Sequence, residues 1–223
     1  MQMKTRIYVA DTDALENREL FASKLLCVSP ERRAAIEKYR FEKDKRLSLG
    51  AGLLFNLALS DLNIDPSAVS VKKGEHGKPY LIEYPGVFFN LSHSGSRAMC
   101  VISDRECGCD VEKISGEHMS VAEHFFTGPE QEYIAKGTEG DAGRFFRLWT
   151  HKESYIKATG AGLSALKDRF SFSFSEKGAE MTPEGEACRF FEPRLNDCYS
   201  YACCIRGDSD EEPEVIIADL SCL

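Results

Sequence analysis

The sequence predicts an α+β fold built mainly from antiparallel sheets. Three observations point there. Helical and strand-like patterns both occur in each half of the 223-residue chain, without the regular alternation of a doubly wound sheet. Several strand-like runs are separated only by turn residues, as in "VSVKKGEHGKPYLIE" (69–83) and "GVFFNLSHSGSRAMCVIS" (86–103). The composition, 43% hydrophobic and 29% charged, is that of a globular chain long enough for one large domain or two small ones.

Taken in order, "TRIYVAD" (5–11) reads as an opening strand, followed by a short helix around 13–26. The stretch 29–62 holds one bent helix or two, with Ser29 as N-cap and Pro30 at the first helical position. Residues 69–83 form strands on both sides of a Gly-rich turn, and 86–103 a strand, a polar turn and a second strand. "ECGCDVEKIS" (106–115) follows as a short strand. Helical patterns cover about 118–136 and 141–159, with Gly160 and Gly162 closing the latter. "DRFSFSF", "CYSYACCI" and "EVIIADL" supply late strands. No long linker or internal duplication is visible in the sequence.

Charge and composition exclude several classes. The net charge of −8 disfavours a nucleic-acid binder, which needs basic surface for phosphate. No run approaches the length of a membrane span, and the acidic N-terminal stretch does not fit a secretory signal, so a cytoplasmic location is expected. Nine cysteines without CxxC spacing read as reduced, mostly buried thiols. One segment opposes the acidic trend: Arg32, Arg33, Lys38, Arg40, Lys43, Lys45 and Arg46 suggest a local anion partner, the plain alternative being a solvated helix face.

The chemistry-bearing positions follow from spacing. In "CDVEK", Asp110 and Glu112 are two apart on a strand and point to one face, where a cation would relieve their repulsion. A solvated acidic strand is the plain reading. Glu153 and Lys157 in "WTHKESYIK" are four apart on a helix and share a face with Phe146 and Thr150; Lys152 lies one step round. Alone, they read as a surface ion pair. His93 sits in "NLSHSGSR", expected to be a polar turn between strands, and "GKP" (77–79) is a further turn. His76, His118, His124 and His151 show no metal spacing with cysteine, and "GAGLLFN" lacks the rest of a P-loop. Carboxylates for a metal, cations for phosphate and a polar turn together suit phosphoanhydride chemistry. Spacing alone stops at a metal-dependent phosphate enzyme.

In combination, "GKP" (77–79), "FNLSHS" (89–94), "GCDVEKI" (108–114), "FFTGPE" (125–130) and "WTHKESYIKATGAGL" (149–163) resemble the Sfp-type 4'-phosphopantetheinyl transferases, in the family's order over most of the chain. The resemblance implies two similar α+β halves related by a pseudo-twofold axis, 1–104 and 105–223, with the active site in the cleft between them. It implies a Mg2+-dependent transfer (Mn2+ as a possible substitute) of 4'-phosphopantetheine from coenzyme A to a serine of an apo acyl or peptidyl carrier protein. Asp110, Glu112 and Glu153 would form the metal site, with Glu153 also taking the serine proton, directly or through a water. Lys157 would neutralise or protonate the leaving phosphate, and Lys152 would help hold the anion.

Ser92 and His93 would contact the coenzyme's phosphates, and Lys78 and Pro79 would flank its adenine. Arg32, Lys43 or Arg46 would bind the 3'-phosphate, although Ala35 stands where the family often carries another basic residue. Glu130 matches an acidic position after the "FF" pair. The carrier is expected near 118–136, no nucleic acid or membrane is expected as partner, and a monomer is the default. The rival readings are another Mg2+-dependent phosphoanhydride enzyme, or an inactive module binding coenzyme A or a carrier.

Overall fold

A computed structural model describes residues 3–74, 77–116, 124–136, 142–162, 170–176, 178–182, 187–208 and 211–223. In the first half lie β1 (Arg6–Asp11), α1 (Arg18–Leu25), α2 (Pro30–Glu37), α3 (Glu42–Ser60), β2 (Val71–Lys73), β3 (Pro79–Leu81), β4 (Phe88–Ser94) and β5 (Arg97–Ser103). Then come β6 (Cys107–Lys113), α4 (Gly128–Ala135), α5 (Gly143–Thr159), β7 (Ser171–Ser175), β8 (Gly178–Thr182), β9 (Cys188–Phe191), β10 (Tyr199–Arg206) and β11 (Glu214–Ala218).

Alternation in β1 decides the layering. Tyr8 and Ala10 point to one side, Ile7 and Val9 to the other, and all four are buried. A strand buried on both faces lies between two layers. On the Tyr8 side, α3 lays Leu49, Leu53, Leu54 and Leu59 over Cys100 and Ile102 of β5, burying a stripe at helical spacing. On the Ile7 side, Met99 and Val101 of β5 meet Cys109, Val111, Tyr201 and Cys203 of β6 and β10, so the two sheets share one apolar core. A third core, rich in phenylalanine, lies between α5, α4 and the β7–β8 hairpin.

The two sheets repeat one topology. The first has the order β11-β1-β5-β4 and the second β6-β10-β9. Apart from β11, each places its first strand beside its last and the last beside the penultimate, with antiparallel neighbours throughout. Each also has a long helix after its first strand, and a two-stranded hairpin after that helix. The chain is thus an α+β fold of two similar halves. β11 departs from the repeat: it returns to the first sheet and pairs in parallel with β1.

Local chemistry explains the boundaries. Ser29 caps α2 by accepting from Arg32 N at 3.3 Å, with Pro30 at the first turn. The 29–62 stretch is two helices, broken at residues 38–41. α5 ends where Gly160 takes φ 67° and returns its N–H to Ile156 O. β8 and β9 have no counterpart among the expected strands. The expected 118–136 helix is present as α4, and its residues 118–123 lie outside the described ones. Among the described residues, no helix is long and apolar enough to cross a membrane.

Candidate active site

β6 carries the site because its two faces differ. Cys107, Cys109 and Val111 fill the core between the sheets, while Gly108, Asp110 and Glu112 turn toward α5. Gly108 sets the distance. A Cβ there would lie 2.2 Å from Ser154 O and 2.3 Å from Ala158 N, so the helix backbone rests directly on the strand. That approach brings Lys157 Nζ to 2.7 Å from Asp110 Oδ1, 3.1 Å from Ser92 Oγ and 3.2 Å from Cys109 O.

The opposite wall is β4, and it corrects an expectation. Ser92, His93 and Ser94 belong to the strand itself; the turn is at Gly95 and Ser96. Polar residues are tolerated there because they bond to β6. Asn90 Oδ1 accepts from Cys109 N at 3.1 Å, Ser92 Oγ from Val111 N at 3.4 Å and Ser94 Oγ from Lys113 N at 3.2 Å. Three side chains at a period of two thus satisfy β6 N–H groups. The two hydroxyls also donate to the acids, Ser92 to Asp110 Oδ1 at 2.8 Å and Ser94 to Glu112 Oε2 at 2.6 Å.

The electrostatics are those of a crowded, partly dry acid cluster. Burial, then Asp110 and Glu112, push the Glu153 carboxyl up to about 7, with Lys157 opposing. Burial alone would lower the Lys157 pKa; Asp110, Cys109 and Glu153 more than offset it, and the net shift is upward. Glu153 Oε1 and Asp110 Oδ2 are buried with no hydrogen-bond partner. His93 has its pKa lowered, by burial first and then by the Lys157 and Arg32 cations. Asp110, Glu112, Glu153, Lys157, Ser92 and His93 therefore belong to one electrostatic neighbourhood, with the Arg32 cation within reach of His93.

The remaining expected residues are more scattered. Arg32 lies across Gly52, where a Cβ would come 2.5 Å from Arg32 Cδ, and donates to Ser48 O at 3.2 Å. Burial lowers its pKa. Lys43 is exposed, and Arg46 pairs with Glu16 at 3.0 Å. Lys78 donates to the Ala158 carbonyl at the end of α5 and stands 4.0 Å from Glu106; Pro79 opens β3, half-buried. Lys152 is fully buried, away from solvent: its ammonium lies 2.9 Å from Glu130 Oε2 and 3.1 Å from Phe170 O. The expected anion contact is replaced by an internal ion pair, because one step round α5 carries the side chain into the phenylalanine core.

Sequence reasoning gave no role to Asn90 and Gly108, and left that of Glu130 open. The period-two run Asn90, Ser92, Ser94 reads in sequence as the ordinary polar face of a half-buried strand, so its bonding to β6 left no local signal. Among the described residues, no three His, Cys, Asp or Glu side chains are grouped to hold a metal. The unpartnered oxygens of Asp110 and Glu153 nevertheless suit a hard cation in kind. Chemically, the site offers a carboxylate able to accept a proton near neutrality, an ammonium beside it, and further cations for an anionic ligand.

Comparison with known proteins agrees with this chemistry. The family model for the 4'-phosphopantetheinyl transferase superfamily matches residues 106–202. The model for the 4'-phosphopantetheinyl transferase N-terminal region matches 16–105. The chain is 34% identical over 190 residues to 4'-phosphopantetheinyl transferase psf-1 of Bacillus pumilus, covering 83% of this chain and 82% of that one. It is 30% identical over 203 residues to 4'-phosphopantetheinyl transferase Sfp of Bacillus subtilis (strain 168), covering 89% of each. With 4'-phosphopantetheinyl transferase gsp of Aneurinibacillus migulanus the identity is 34% over 183 residues, 79% of this chain and 76% of the relative.

Proposed function

The chain belongs to the 4'-phosphopantetheinyl transferase superfamily, and on that premise we propose that it moves the 4'-phosphopantetheine group of coenzyme A onto a serine of an apo acyl or peptidyl carrier protein. The observation that carries the reading is the meeting of Glu153, Asp110 and Lys157 across Gly108, at the seam of the two halves. In the reaction the serine oxygen bonds to the β-phosphorus, the pyrophosphate P–O bond breaks, and 3',5'-ADP departs. Such transfer asks the protein for positioning and charge neutralisation.

Glu153 takes the serine proton, directly or through a water; its desolvation keeps it basic enough near neutral pH. Lys157 lends positive charge to the leaving phosphate, and Ser92 steadies Asp110 between strand and helix. Mg2+, with Mn2+ as substitute, would be held by Asp110, Glu112 and Glu153; the two unpartnered buried oxygens and the all-oxygen donor set support this. When bound, the ion draws charge from the pyrophosphate and acidifies a bound water.

Arg32 and His93 meet the coenzyme's phosphates, the half-buried, cradled guanidinium of Arg32 being a better fixed contact for the 3'-phosphate than Lys43 or Arg46. Lys78 and Pro79 lie along the adenine. Lys152 is structural, its ammonium held by Glu130 away from the coenzyme's phosphates. Carrier docking on the segment that includes α4, and a cytoplasmic monomer, belong to the same proposal; the nine unbridged thiols support a reducing compartment.

The test is incubation with coenzyme A, Mg2+ and an apo carrier protein, read by mass spectrometry. A carrier mass gain of one phosphopantetheine group supports transfer, and Glu153→Gln should abolish it while the fold survives. Coenzyme A hydrolysis without carrier modification would indicate the hydrolase instead, and binding alone the inactive module.

A further inference from the structure

A second cluster joins the halves, and the transfer chemistry described above does not use it. Its centre is Tyr199, from β10 of the second half, lying over the β4–β5 turn of the first. Its ring and hydroxyl occupy the space that a Cβ on Gly95 would need, at 2.3 to 2.9 Å. Its hydroxyl accepts from Ser96 N at 2.8 Å, and Gly95 takes φ 63° beneath the ring. Arg97 stacks on the ring at 5.2 Å and is pinned by Asp11 and by Asp197 at 3.2 Å. Asp197 in turn accepts from Tyr199 N at 3.2 Å and from Tyr201 Oη at 2.7 Å. The turn is thus clamped from across the seam by one aromatic ring.

What the clamp holds is the end of β4. Ser94 is adjacent to the turn, and its hydroxyl both donates to Glu112 and accepts from Lys113 N. Tyr199 pairs opposite Lys113 in the β10–β6 ladder, so ring, turn, Ser94 and Glu112 close a small circuit. We infer that Tyr199 is a positioning residue: it fixes the turn and, through Ser94, sets where the Glu112 carboxylate stands. The inference rests on the reading of Glu112 as a carboxylate that serves the transfer.

The test is a double-mutant cycle of Tyr199→Phe and Ser94→Ala, read as Mn2+ affinity of the coenzyme-free protein by electron paramagnetic resonance and as kcat for transfer. The phenylalanine keeps the ring and removes only the hydroxyl. Residues that orient a metal's carboxylates change affinity by ~10–100-fold when altered, so Ser94→Ala, which removes a direct hydrogen bond to Glu112, should lose ~10–100-fold, and Tyr199→Phe, one step further away, ~3–10-fold. The double variant should lose no more than the worse single one, because both act on one path. Gly95→Ala, which attacks the clamp from the other side, should reproduce the loss. Tyr201→Phe removes a neighbouring hydroxyl from the same Asp197 without touching the turn, and should leave affinity and kcat unchanged even if the thermal midpoint falls.

Additive losses in the cycle, an unaltered Tyr199→Phe, or an equal loss in Tyr201→Phe would each overturn the inference and reduce Tyr199 to a stability residue. Wild-type transfer measured alongside judges the function itself. Active wild type with an additive cycle removes only the role of Tyr199; a wild type that neither transfers nor binds Mn2+ removes both.

Discussion

Glu153 shows how a single side chain links stability to chemistry. Its carboxyl ordinarily titrates near 4.5 and is raised to about 7 in the folded protein. Between those values the native state holds a proton that the unfolded chain has released. Stability therefore falls as pH rises through this window, and the full cost of the buried charge is present above about 7. Glu153→Gln removes that cost. By urea denaturation the variant should exceed the wild type by about 1–2 kcal/mol at pH 8, with screening of a partly exposed group allowed for, and the advantage should vanish near pH 4.5. No gain at pH 8 would mean that the carboxylate is not desolvated. The acid pair was legible because alternation on a strand is a firm rule, and Glu153 with Lys157 because a step of four keeps one helix face. The inward course of Lys152 was not legible, for the same geometric reason. One residue along a helix turns about 100°, which separates chain neighbours into different layers.

Elements hold these side chains in place, and two contacts decide α5. The first is Gly108, where the helix backbone occupies the position of a Cβ. Gly108→Ala should push α5 off β6, lengthen the Lys157–Asp110 contact and lower both kcat and the thermal midpoint; a crystal structure of the variant with α5 unmoved would refute this. The second is the Glu130–Lys152 pair. Glu130 accepts from Thr127 N, Phe172 N and Lys152 at 2.8, 2.8 and 2.9 Å, tying α4, β7 and α5 together with no exposed surface. Lys152→Met alone strands a buried carboxylate and should cost about 3–5 kcal/mol. Glu130→Met with Lys152→Met should recover part of that, though the two backbone N–H groups lose their acceptor. A KM for coenzyme A within about twofold of wild type in the double variant would support the structural role, because contacts to substrate are then untouched. The β2–β3 and β4–β5 hairpins and α5 were legible from turn residues and helical spacing, whereas β8 of the β7–β8 hairpin was not. The Ser92–Ser94 stretch was not, because its serines satisfy an edge that only the assembled halves create.

At the scale of the molecule, the repeat of strand, helix, hairpin and paired strands was hidden in the sequence because topology survives where side chains diverge. The return of β11 was equally hidden, since a strand's partner over two hundred residues away leaves no local mark. That return breaks the equivalence of the two halves. β4 lies at one end of the first sheet, where its side chains bond β6 and the site forms; β11 occupies the other end, beyond β1. A split of the chain after residue 104 therefore leaves the first sheet without its outer strand. Deleting residues 214–223 tests how far that strand matters. The deletion removes the parallel ladder from Arg6 to Ala10 and withdraws Leu220, buried to 1% exposure against the α3 layer, together with half-buried Ile216 and Leu223. Losing one fully buried leucine costs about 1.5–3 kcal/mol, and the half-buried pair adds to it. The exposed edge of β1 also offers unpaired N–H and C=O groups to other copies. The truncated protein should therefore unfold at lower urea and associate on concentration, seen by light scattering. Its remaining folded fraction should still transfer, because the Asp110, Glu153 and Lys157 contacts lie among elements the deletion leaves in place. A truncated chain as stable and monodisperse as the full one would show that β11 is an ornament on the first sheet rather than its closing strand.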